Sequence, residues 1–198
     1  MIIVKDLSYK NILDNINLEL PKTVNYIKGE NGAGKSTLLD CISNLNKGYL
    51  GEIKGNESII YLNQNLYFSY RLPSKDFVEF TLTLAGIKDY KNTFYNFVSK
   101  FSSVDQIDKI WKKPVGMLSG GERKRLFFSA ISCIDRDWYI YDEPFAGVDE
   151  KGKEFMVKVL KHFQENNKGI IITSHETDPF NVLEDMNVVK IEDGAIVG

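Results

Sequence analysis

The chain has 198 residues, 43% hydrophobic and 26% charged, which is enough apolar material for a full core and excludes a disordered chain. Its 25 basic and 27 acidic side chains leave a net charge of −2, against general adhesion to nucleic acid or anionic membranes. No apolar run nears the roughly 20 residues of a spanning helix, and MIIVKDLSYK carries no secretory signal. The two cysteines, Cys41 and Cys133, lack metal-type spacing and fit reduced buried thiols in a cytosolic protein.

Short β-type runs fill the first part of the chain, at residues 2–4, 16–20 and 24–28. A glycine-rich turn follows, then a helix over 35–42 with Leu38, Leu39 and Ile42 at core-facing spacing. The segment 48–58 reads as a small edge hairpin, and 58–62 as a buried strand. From 75 to 113 the aromatic and aliphatic residues Phe77, Phe80, Leu82, Leu84, Tyr90, Phe94, Phe97, Val98 and Phe101 recur every three or four positions, as in packed helices. The rest alternates: strand 138–141, helix 150–166 capped by Asp149, strand 169–173, a short helix 178–183, then strands 187–192 and 195–197. Such alternation predicts an α/β fold with a mostly parallel sheet, helices on both faces, and an antiparallel edge from the N-terminal strands.

Gly29-Glu30-Asn31-Gly32-Ala33-Gly34-Lys35-Ser36 matches GxxxxGK[ST] between a strand and a helix. Glycines let successive N–H groups converge on phosphate oxygens, and the helix N-terminus adds a favourable dipole. Lys35 supplies a compact positive charge for the β- and γ-phosphates, and the Ser36 hydroxyl can ligate Mg²⁺. Asn31, Gly32, Ala33, Gly34, Lys35, Ser36 and Thr37 are thus the expected nucleotide contacts. Asp142 and Glu143 close the apolar strand 138–141, where the strand ends of a parallel sheet line the ligand crevice. Asp142 is expected to hold the metal, and Glu143 to orient or deprotonate the attacking water. Leu118-Ser119-Gly120-Gly121-Glu122 precedes the helical run 123–133 and offers a second anion-binding helix end. Taken alone it also fits a serine helix cap, the lesser of the two readings.

With these three motifs in this order, the sequence resembles an ATP-binding cassette (ABC) ATPase over essentially its whole length. The resemblance implies a P-loop NTPase (RecA-like) fold in a single domain, 1–198, with a core of 1–64 and 134–198. The helical insertion, about 65–133, would carry the signature LSGGE. It implies that Gln64 touches the metal and water, that Asp149 crosses a dimer interface, and that His175 contacts the γ-phosphate. Tyr9 is the candidate to stack on adenine, and Ser119, Gly120 and Gly121 would complete the pocket of a second copy. The cofactors implied are ATP and Mg²⁺, with Ser36, Gln64 and Asp142 at the metal. The implied partners are a second copy or a related cassette and separate membrane-spanning subunits, with no nucleic acid. That places the chain in the cytoplasm, on the inner face of the cell membrane when complexed.

Tyr67, Phe68 and Tyr70, just after Gln64, lie where the family docks its coupling helices. Only about 80 residues separate the two anion sites, too few for the coiled coil of DNA-maintenance relatives. Translation-linked relatives carry two cassettes where this chain has one. A soluble role in cofactor assembly stays open beside transport.

Overall fold

A computed structural model describes residues 1–174, 183 and 185–197. The expected helix at 178–183, apart from Leu183, and the site residue His175 lie outside the described residues.

Strands β1 (Ile2–Tyr9), β2 (Leu13–Leu20) and β4 (Leu50–Lys54) form an antiparallel sheet of their own, in the order β2-β1-β4. The N-terminal strands therefore do not supply the edge of the main sheet, as the sequence reading had them. They form a separate layer, because β2 carries its apolar residues on one face only (Leu13, Ile16, Leu20) and needs a core beneath it. The segment 48–58 is likewise a single edge strand paired with β1, not a hairpin.

The main sheet has the order β5-β6-β7-β3-β8-β9, from β3 (Val24–Lys28), β5 (Ile59–Leu62), β6 (Trp138–Asp142), β7 (Gly169–Thr173), β8 (Asn187–Glu192) and β9 (Ala195–Ile196). All its pairings are parallel except β8 with β9, which provides the antiparallel edge. All five residues of β6 and of β7 are buried, as expected for parallel strands covered on both faces.

Alternation along these strands sorts two cores. Tyr139, Tyr141, Ile170 and Ile172 point to the cluster shared with the helices between residues 74 and 165. Trp138, Ile140 and Ile171 point to the cluster shared with α1 (Lys35–Ile42) and the antiparallel sheet. Leu38, Leu39 and Ile42 of α1 are fully buried there, at the predicted spacing.

The helical stretch comprises α2 (Ser74–Leu84), α3 (Tyr90–Ser99), α4 (Asp105–Ile110), a 3-10 turn at Val115–Met117, and α5 (Gly120–Ser132); α6 (Glu150–Glu165) follows β6. Phe77, Leu82, Phe94, Phe97 and Val98 are buried in it as expected. Phe80 and Leu84 are not: they are 56% and 73% exposed, on the outer face of α2. The inward stripe of α2 is completed by Phe77, Val78 and Leu82, so residues one further turn position round face outward.

Gly169 opens β7 directly opposite Trp138 of β6, and an added Cβ there would lie 2.1 Å from the indole. Gly169→Ala should therefore cost about 1–3 kcal/mol by overpacking. Thermal unfolding should fall by about 2–4 °C for each of those kcal/mol.

Candidate functional site

Three turns meet at the mouth of the main sheet. The glycine-rich loop between β3 and α1 bends through Gly32 (φ +85°) and Gly34 (φ +103°), conformations that L side chains rarely adopt. A Cβ on Gly34 would also strike Leu13 at 2.9 Å, so the β1–β2 turn rests on this loop. The β8–β9 turn joins them through Gly194, whose N–H donates to the Ala33 carbonyl at 3.1 Å and whose carbonyl accepts from Asp14 N–H at 2.9 Å. Tyr9 ends β1 beside this junction, half-buried, with the Lys10 ammonium 4.9 Å from its ring centre.

Lys35 opens α1 and is buried. Its ammonium donates to the carbonyls of Gly29 (2.8 Å) and Glu30 (2.9 Å), which spends two of its three N–H donors on the loop it would serve. Asn31, Gly32 and Ser36 are exposed, Thr37 is half-buried, and Ala33 and Gly34 are buried against the neighbouring turns.

At the end of β6, Asp142 is 3% and Glu143 5% exposed. Glu143 adopts φ +52°, a strained conformation for a non-glycine residue and one that marks functional sites. The strain is held by β7: the Glu143 N–H donates to both Oγ1 (3.0 Å) and the carbonyl (3.2 Å) of Thr173. The same Thr173 hydroxyl donates to Asp142 Oδ1 at 2.5 Å. From α5, Lys124 Nζ donates to the Glu143 carbonyl at 3.1 Å. Gln64, exposed in the turn after β5, lines one cleft with Asn63, Lys124, Asp142 and Glu143.

Thr173 and Lys124 escaped the sequence reading. Thr173 was within reach, because parallel strands ending together place it directly opposite Asp142. Lys124 carried no signal, since only the packing of α5 brings it to the strand end.

Ser119, Gly120, Gly121 and Asp149 line a different and larger groove, with Gln106, Lys109, Glu122, Arg125 and Gly147. Ser119 is the N-cap of α5 in a reciprocal capping box: Glu122 N–H donates to Ser119 Oγ (3.1 Å) and Ser119 N–H to Glu122 Oε2 (2.8 Å). Glu122 thus has a structural task of its own. Asp149 is likewise the N-cap of α6, accepting from Gly152 N–H at 2.9 Å. Arg125, its charge disfavoured by burial, sits 4.5 Å from the Phe155 ring centre and donates to Gln106 and Ser102, pinning α4 and α5 to α6. One chain therefore separates the expected site residues into two groups.

The two thiols stay protonated at neutral pH, because burial pushes Cys41 to about 11 and Cys133 to about 12. No helix among the described residues is long and apolar enough to cross a membrane.

The family model for ABC transporters matches residues 13–146. The chain belongs to the ABC transporter ATP-binding family. It is 36% identical over 184 residues to the cytochrome c biogenesis ATP-binding export protein CcmA of Reclinomonas americana, covering 86% of this chain and 81% of that one. A petrobactin import ATP-binding protein of Bacillus subtilis is 29% identical, with 92% and 77% covered. Among solved structures, an ATP-binding cassette in a dimeric post-hydrolysis state with ADP and phosphate superposes with a TM-score of 0.80 at 20% identity, covering 100% of this chain and 97% of that one. The fold is that of a P-loop NTPase cassette, and the chain is an ATPase of the transporter type.

Because one hydroxyl accepts from the Glu143 amide and donates to the Asp142 carboxylate, Thr173→Val should cut the ATPase turnover rate far more than it lowers the melting temperature. Steady-state kinetics beside a thermal melt read the two effects separately.

Proposed function

We propose that the whole chain, 1–198, is one nucleotide-binding domain with its helical insertion at about 65–133, and that ATP hydrolysis by it drives transport through separate membrane-spanning subunits. The observation that carries the mechanism is the separation of the site residues within one chain. Lys35, Gln64, Asp142 and Glu143 belong to the strand ends, while Ser119, Gly120 and Gly121 belong to a groove elsewhere. Two copies, or this chain and a related cassette, packed head to tail bring the two groups together around each of two ATP molecules.

Lys35 then gives its remaining N–H to the β- and γ-phosphates. The first-turn amides Gly120 and Gly121 of the partner copy have no intrahelical acceptor and face the γ-phosphate. Closure depends on that phosphate, since it is the anion two opposed helix N-termini share, and hydrolysis removes it. Glu143, aimed by its positive φ and by Thr173, orients or deprotonates the attacking water. His175 is assigned to the γ-phosphate, Asp149 to the dimer interface and Tyr9 to adenine.

Ser36, Gln64 and Asp142 would hold Mg²⁺, and their oxygen donors suit a hard cation. Asp142 fits this role as a buried carboxylate bound by hydroxyls and reached by no ion pair among the described residues. Bound there, Mg²⁺ supplies charge neutralisation at the transferring phosphoryl group.

The surface proposed for the membrane subunits comprises Tyr67, 72% exposed, together with Tyr70, Leu72, Phe80 and Leu84. Phe68 is excluded from it, because its ring turns inward to Phe77 at 5.1 Å. Such a surface seats the chain on the cytoplasmic face of a membrane. The export name of the 36% relative supports export as the direction.

Glu143→Gln should keep ATP binding, slow hydrolysis severely and trap an ATP-bound dimer visible by size-exclusion chromatography. Near-normal turnover would remove Glu143 from its assigned role.

Ser119→Arg should still bind one ATP per chain yet neither dimerise nor hydrolyse. Mixing it with Lys35→Ala creates one doubly broken pocket and one intact pocket, so activity should return on mixing two inactive proteins. A Ser119→Arg protein that hydrolyses ATP normally by itself would overturn the head-to-tail arrangement.

A further inference from the structure

We propose that Tyr26 is a positioning residue for hydrolysis: its hydroxyl holds the end of β7 from the side of the phosphate-loop strand, and through Thr173 it fixes where the Glu143 backbone stands. The inference rests on the reading of Glu143 as the residue that orients the attacking water, and it adds a residue that reading does not contain.

β7 lies between β6 and β3 in the main sheet. Toward β3, backbone pairing runs from Val24 with Ile170 to Ile27 with Thr173. It goes no further, because β3 ends at Lys28 and the chain turns into the glycine-rich loop. A side chain carries the tie one residue beyond the last backbone pair. Tyr26 stands opposite Ile172, and its hydroxyl reaches along β7 to donate to the Ser174 carbonyl at 2.8 Å. Tyr26 is 7% and Ser174 5% exposed, so the bond is made out of water, where a hydrogen bond is strongest. Burial, and then the charge on Glu143, raise the Tyr26 hydroxyl above its ordinary value, so it keeps its proton and keeps donating through the neutral range.

The last two carbonyls of this segment therefore serve opposite neighbours. That of Thr173 accepts the Glu143 N–H at 3.2 Å on the β6 side, and that of Ser174 accepts the Tyr26 hydroxyl on the β3 side. Thr173 stands between the two ties, with its own hydroxyl on the Glu143 amide and the Asp142 carboxylate. Glu143 keeps its φ of +52° only while its surroundings over-determine it, and Tyr26 steadies those surroundings from the far side of β7. Three residues after Tyr26 begins the loop whose Gly29 and Glu30 carbonyls hold Lys35. One tyrosine thus ties the strand that leads to the phosphate lysine to the strand end that holds the Glu143 backbone.

Tyr26→Phe keeps the ring and removes only the hydroxyl. Steady-state kinetics should show kcat for ATP hydrolysis about tenfold lower, a part of the roughly hundredfold that 1 Å of misplacement costs, with KM for ATP unchanged. Binding of a non-hydrolysable ATP analogue to the single chain should also be unchanged, since the Lys35 loop is intact. A tyrosine with a purely structural task would lower the melting temperature and leave kcat at wild-type level well below it. In a Thr173→Val background the substitution should cost no further turnover, because Tyr26 acts through Thr173. Wild-type kcat in Tyr26→Phe, a loss carried by KM alone, or losses that multiply in the double variant would overturn the proposal. Glu143→Gln, measured alongside, separates the two readings. If it hydrolyses ATP at a near-normal rate, the assignment of Glu143 fails and the proposal with it; if it is inactive while Tyr26→Phe turns over normally, only the tie through Tyr26 fails.

Discussion

The strand-end site of this protein depends on one hydroxyl group. Thr173 Oγ1 accepts from the Glu143 amide and donates to Asp142 Oδ1, so a single side chain on β7 holds the Asp142 carboxylate and the backbone of the residue that follows β6. A residue held at φ +52° drifts back to a relaxed conformation unless its neighbours over-determine it. Here the Thr173 carbonyl and the Lys124 ammonium add to the restraint. Two acidic residues are buried side by side here with the Asp142 oxygens met by hydroxyls and the Glu143 backbone held by the adjoining elements.

That hydroxyl is in place because β6 and β7 are parallel, in register and buried on both faces. Their alternating side chains feed two cores at once, Tyr139 and Tyr141 toward the helical layer, Trp138 and Ile140 toward α1 and the antiparallel sheet. A one-residue slip would reverse every side chain of β6 and exchange the faces of Trp138 and Tyr139. Gly169, opposite the Trp138 indole, allows the pair to approach as closely as the register demands. Core packing and site geometry are thus a single constraint. The same end of the sheet carries the glycine-rich loop whose Gly29 and Glu30 carbonyls Lys35 bridges, and α5 reaches it with Lys124 and Phe127. The signature end of α5 is left in its own groove, which is why a second copy enters the functional reading at all.

Much of this was legible in the order of the residues. Backbone requirements leave strong local traces: glycines where φ must be positive, a lysine and serine at a helix start, paired acids where an apolar strand ends. The strands of the parallel sheet and the buried stripe of α1 could be read for the same reason, since period and apolar content are local properties. Sequence and structure part where the deciding partner is distant in the chain. The N-terminal strands suggest an edge of the main sheet because a strand does not show which sheet it joins. Residues 48–58 suggest a hairpin because their partner β1 is some 45 residues away. Phe80 and Leu84 suggest core because an apolar residue on a short helix does not declare which face the neighbours have already filled.

The sequence by itself determined the chemistry: an ATP-binding loop, an acidic strand end and a capped glycine helix end, each defined by a few adjacent residues whose backbone shape and charge travel with them. Only the tertiary structure decided how those pieces are aimed. Thr173 meets Asp142 through strand pairing, Lys124 meets Glu143 through helix packing, and the Tyr61 hydroxyl meets Asp142, 81 residues away along the chain. Hydrogen bonds act over about 3 Å. Residues so far apart in the chain come that close only when burial of the apolar faces has fixed the register and packing of every element between them.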